Sequence, residues 1–235
     1  MYRPKTTKGI LMAPVLLAVA ILGAACSSPP EQPLLRQYFR SSQLNDNASL
    51  SNIALVSLDP KTDGAVTSFE ITSVSEERTE PLMVKDLSKA VADAEAADGE
   101  FSKRKKDYQD KNLDAIDRVL KAESANRKLA GRDAQIQAEW TKWRNETAES
   151  SKKLSEARNV LSDARPVAEL STARMQPQPN LTTVDAQVIT KDVMITATVR
   201  APDGSTSEKP MVVTLKRVRI GEINGIWIFA AVKFA

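Results

Sequence analysis

The chain has no histidine and a single cysteine, so the side chains that most often serve as general base, transition-metal ligand or thiol nucleophile are nearly absent. No glycine-rich phosphate loop, serine nucleophile elbow or calcium loop stands in their place. These observations predict no catalytic residues, no metal site and no cofactor. Asp107, Asp110, Asp114 and Asp117 step by three, four and three and share one helical stripe, which would suit a hard cation. Lys103, Lys111, Arg118 and Lys121 lie within helical reach, so a solvated face of ion pairs is the simpler expectation. The basic run from Lys103 to Lys106 fans around a helix and forms no single face.

The cysteine itself is placed for chemistry. Arg3, Lys5 and Lys8 precede an apolar run from Ile10 to Ala25, broken only by Pro14, and Cys26 follows directly. A basic start and an apolar core mark a secretory signal over residues 1–25. The sequence Leu22-Gly23-Ala24-Ala25-Cys26 resembles the bacterial lipobox, with glycine where leucine is more usual. That resemblance implies a diacylglyceryl thioether and an acylated amino group on Cys26, hence a protein held on a membrane of the bacterial cell envelope. Ser27 after the cysteine implies the outer membrane, facing the periplasm, in preference to the inner. Each buried CH₂ contributes about 0.8 kcal/mol, so two or three chains hold stably. Removing Arg3, Lys5 and Lys8 takes the formal charge from +3 to zero, which gives no support to nucleic-acid binding.

Aromatic side chains are the other candidates for recognition. Trp140 and Trp143 could anchor a partner or fill a helical seam; Tyr38, Phe39, Trp227 and Phe229 could line an apolar pocket or simply pack as core.

The elements that position them fall into three regions. Residues 26–33 read as the acylated cysteine and a proline-rich linker that does not pack. Residues 34–81 hold two short helices and a strand from Val66 to Val74; residues 175–235 hold strands Val184 to Val199, Met211 to Ile220 and Ile226 to Phe234. A break at Lys191-Asp192 would divide the first of these, and the last, apolar on both faces, reads as a central strand. Between them, residues 82–174 read as a helical insertion. Leu87, Val91, Ala94, Phe101, Tyr108, Ala115, Val119, Ala122 and Leu129 keep a seven-residue register, with Asp98, Lys105, Asn112 and Asn126 in the gaps; Leu113, Ile116 and Leu120 suggest a shift partway.

Gly131 would end the first arm, Asp133 would cap the next, and the register resumes from Ile136 through Trp140, Trp143, Thr147, Ser150, Leu154, Ala157 and Leu161 to Ala164, until Pro166. The prediction is an α+β fold: a small antiparallel sheet with N-terminal helices, interrupted by a long antiparallel α-helical coiled-coil hairpin. One unbroken helix, or a bundle folded also at Gly99, are the alternatives.

The order of helices, strand, insertion and three strands is similar to the nuclear transport factor two-like cone, which implies a bent sheet around a helix and a concave pocket. A hairpin between β-rich halves on an acylated protein also resembles the periplasmic adaptors of efflux pumps, without their glycine- and valine-rich half-motifs. The expected role is structural or interactive: a lipid-anchored envelope protein that presents the hairpin to a protein partner, with self-association through the seam left open. A small apolar ligand or a reaction in the cone, and an adaptor-like place in a transport complex, are the alternatives.

Overall fold

The computed structural model describes residues 29–235; the signal segment and Cys26 lie outside the described residues. The architecture is α+β. Helix α1 (Gln32–Gln43) and the short α2 (Asn47–Ser51) precede strands β1 (Ala65–Val74) and β2 (Arg78–Pro81). Three helices follow, α3 (Val84–Lys111), α4 (Leu113–Ser124) and α5 (Gly131–Thr172). The chain closes with β3 (Gln187–Arg200), β4 (Thr206–Ile220), β5 (Ile223–Asn224) and β6 (Ile228–Phe234).

The strands form one curled antiparallel sheet. β3 lies at its centre, beside β4; β1 and β2 follow one another along the far edge of β3, while β5 and β6 do the same along β4. Alternate residues of β3 face the core, with Ile189, Val193, Ile195, Ala197 and Val199 all buried, as the twofold strand period requires. Val193, Ile195, Ala197 and Val199 share a core with Leu35, Tyr38 and Phe39 of α1, so the curled sheet closes on that helix.

β3 runs through Lys191 and Asp192 without the expected break, because both neighbours pair there: Lys191 opposes Leu215, and the N–H of Ser75 donates to the Asp192 carbonyl at 2.8 Å. β4 begins at Thr206, ahead of the expected Met211, and β2 was not anticipated. β6 is an edge strand and not a central one. At Phe229 its free edge is covered by the segment after α2, where the N–H of Phe229 donates to the Ile53 carbonyl and the N–H of Leu55 donates to the Phe229 carbonyl.

Helices α3 and α4 lie along α5, with pairings that run in opposite directions. Glu95 meets Arg158, Asp98 meets Ser150, Lys105 meets Thr147 and Arg118 meets Asp133. The register from Leu87 to Ala122 and from Ile136 to Ala164 is buried or half-buried at each apolar position that the spacing assigns to the seam. Its ends differ from expectation. Asn112 breaks the first arm into α3 and α4, its side-chain amide donating to the Tyr108 carbonyl at 2.9 Å.

Asn126, and not Gly131, supplies the left-handed residue that ends α4, at φ 49°. The N–H of Arg127 donates to Ala122 and that of Asn126 to Glu123, the paired bonds of a Schellman termination. Gly131 instead opens α5 at φ 58°, and Asp133 is no cap but the ion-pair partner of Arg118.

Pro166 does not end the second arm. α5 continues to Thr172 despite the missing N–H, because Ala168, Ser171 and Thr172 are fully buried at its end. Tertiary burial outweighs the local preference for a stop. At 1.5 Å per residue, the 42 residues of α5 span about 63 Å.

Candidate functional site

Two side-chain groupings stand out. The first lies between the long helices. Trp143 packs against Phe101 and Tyr108 at 5.5 and 5.7 Å between ring centres, and Trp140 is buried with Ile116, Val119 and Ile136. Lys105 donates to Thr147 at 2.9 Å and sits 5.6 Å from the Trp140 ring. Both tryptophans thus face the partner helix, as their register predicts. The two charged members of the seam are paired across it, Lys105 with Thr147 and Asp98 accepting from Ser150 at 2.7 Å, which explains how a seam with charged positions is held.

Outside this interface one carboxylate of the acidic stripe is in an ion pair among the described residues, and Arg118 meets the stripe only at a backbone carbonyl. Asp117 lies 2.6 Å from Lys121, and Arg118 reaches the Asp114 carbonyl at 3.3 Å. Lys105 alone of the run from Lys103 to Lys106 turns toward the seam; the other three are exposed.

The second grouping crosses the inner face of the sheet. Lys191, at an inward position of β3, is buried and lies 2.5 Å from the buried carboxylate of Glu31. Its ammonium also stands 4.2 Å from the centre of the Trp227 ring, and the guanidinium of Arg217 lies 4.4 Å from the same ring. Arg217 reaches Glu77, between β1 and β2, at 3.1 Å. Carboxylate, ammonium, indole, guanidinium and carboxylate therefore follow one another in an unbroken ladder. The ring's negative faces favour both cations, each worth about 0.5–2 kcal/mol depending on exposure.

This ladder corrects the reading of the linker as a segment that does not pack for its described residues, 29–33. Glu31 is 6 % exposed, and α1 begins at Gln32, with Pro33 in its first turn, where a missing N–H costs no helical bond. Its members other than Trp227 were missed from the sequence. The available signal was Lys191, a charge standing in the inward register of an apolar strand.

The four aromatic residues expected around one pocket do not share one. Tyr38 and Phe229 stack at 4.1 Å between centres, with no exposed surface, in the core itself. Burial pushes the Tyr38 hydroxyl up to about 12. Phe39 borders a surface groove with Arg36 and Arg40, whereas Trp227 borders a separate depression of about 370 Å³. Cys26 lies outside the described residues, and no helix among them is long and apolar enough to cross a membrane.

Comparison with protein-family models, with curated proteins and with solved structures gives no match to this chain.

Proposed function

We propose that this is a lipid-anchored protein of the bacterial cell envelope, held by acyl groups on Cys26, which presents a coiled-coil hairpin of α3, α4 and α5 for protein contact. The outer membrane, facing the periplasm, is the expected site. The reading is non-enzymatic, in keeping with a chain that has no histidine and whose one cysteine takes the lipid.

The observation that supports the contact surface is on α4. Ile116, Val119 and Ala122 turn inward and are buried, yet Leu113 and Leu120, seven residues apart and so on one face, remain 65 % and 44 % exposed. Leucines that the fold leaves uncovered beside a filled seam suit a groove or further helix on a partner protein. The efflux-adaptor reading has only the paired helices in its favour.

Two experiments test the reading. Cys26→Ser should abolish incorporation of labelled palmitate and release the protein from membranes. A photoreactive residue at 113 or 120 should crosslink in cells to a discrete protein, whereas one at Met194, on the sheet and 49 % exposed, should not. Palmitate retained by Cys26→Ser would exclude the anchor; crosslinking no stronger at 113 and 120 than at 194 would exclude the contact face.

A further inference from the structure

The depression beside Trp227 has features of a ligand site that neither the anchor nor the helical pair requires. Leu34, Ile53, Leu215 and Trp227 wall it, and two cations, Lys191 and Arg174, stand among the lining. Lys191 is answered by Glu31, and the neighbouring Arg217 by Glu77. Arg174, exposed in the loop after α5, has no ion-pair partner among the described residues, so one positive charge is left over. At about 370 Å³ the space falls within the range of small-molecule sites, about 300–1,000 Å³.

We propose that this depression binds a single-chain anionic amphiphile, with its carboxylate or phosphate on Arg174 and its hydrocarbon along the half-buried Leu34 and Trp227, above the buried Ile53 and Leu215. A guanidinium suits either headgroup, since its fork of donors matches both oxyanions. The apolar wall rewards the chain, and the ladder of paired charges holds the indole in place. Under the anchored reading, three residues lie between Cys26 and Pro30, a reach of at most about 14 Å over four peptide steps, which keeps the depression near the lipid surface. That reading bears on where the ligand comes from; the pocket itself does not depend on it.

Photoactivatable twelve-carbon probes test the site: a fatty acid, the corresponding alcohol and a lysophosphatidic acid, each added to the full chain purified from expressing cells and placed in nanodiscs. The acid or the lysophospholipid should label peptides containing Leu34, Ile53 or Trp227 saturably, and the preferred one identifies the headgroup. The alcohol should label roughly tenfold less, the loss of one charge-assisted contact.

Arg174→Ala should reduce labelling by the acid to about that of the alcohol, without changing the melting temperature. Gln37→Glu, which sets a negative charge on the exposed wall from α1, should also weaken it. The full chain with Cys26→Ser, held in mild detergent, should still be labelled, which separates the fate of this site from that of the anchor. Equal labelling by acid and alcohol, indifference to Arg174→Ala, or label confined to α3, α4 and α5 would overturn the proposal.

Discussion

The hydroxyl of Ser171, in the last turn of α5, accepts a 2.8 Å hydrogen bond from the backbone N–H of Val218 in β4. The same hydroxyl donates to the Ile226 carbonyl at 2.8 Å, and the N–H of Ile226 returns a bond to the Ser171 carbonyl at 2.9 Å. The end of the longest helix is thereby fastened where the edge of the sheet passes from β5 to β6. Gly225 allows the approach, since a Cβ there would collide with the Ser171 carbonyl oxygen.

Removing that hydroxyl leaves a buried N–H and carbonyl without their partner. Ser171→Ala should therefore lower the unfolding free energy by about 1–3 kcal/mol. Gly225→Ala should cost more, because backbone must move, and should raise hydrogen exchange at Ala168 to Thr172. Equal exchange in the variant and the parent chain would show that this fastening is not what orders the helix end.

The ladder makes a second prediction. Lys191→Met strands the buried Glu31 carboxylate and should destabilise by about 3–5 kcal/mol in urea unfolding. Adding Glu31→Gln removes the uncompensated charge and should restore most of the loss. Additive effects of the two substitutions would deny the pair its coupling.

Asp192 gives the pH dependence. Hydrogen bonds from Arg78 and Thr214 hold its carboxyl below the ordinary 3.8, with burial opposing them. A carboxyl that is more acidic when folded adds stability above its unfolded value and loses it as the pH falls through the folded one. The stability difference between the parent chain and Asp192→Asn should be constant above about pH 5 and shrink below about pH 4. A difference independent of pH would mean that Asp192 acts by packing alone.

Pro166 is exposed within α5 and supplies no N–H to the turn before it. Proline is about 3 kcal/mol less favourable than alanine inside a helix, so Pro166→Ala should raise the melting temperature, with a gain of up to about 3 kcal/mol. An unchanged or lower melting temperature would show that the proline is accommodated by a kink the fold needs.

The helical register and the sheet's main strands could be read directly from the chain, because each rests on a local period. Leu87 to Ala122 and Ile136 to Ala164 step by threes and fours, and Val193 to Val199 alternates. The aromatic character of the seam around Trp140 and Trp143 followed from the same count.

What the chain could not specify depended on partners distant in sequence. Whether α5 stops at Pro166 is decided by the burial of Ala168 and Ser171 against β4 and Ile226, which no local preference encodes. Tyr38, Phe39 and Phe229 pack in the core while Trp227, half-buried, borders a surface depression, because the curl of the sheet sets which side of α1 each aromatic meets. Glu31 and Lys191, 160 residues apart, become a pair only when α1 lies across β3. Periodicity assigns a residue to a face; only the packing of one face on another decides what it touches there.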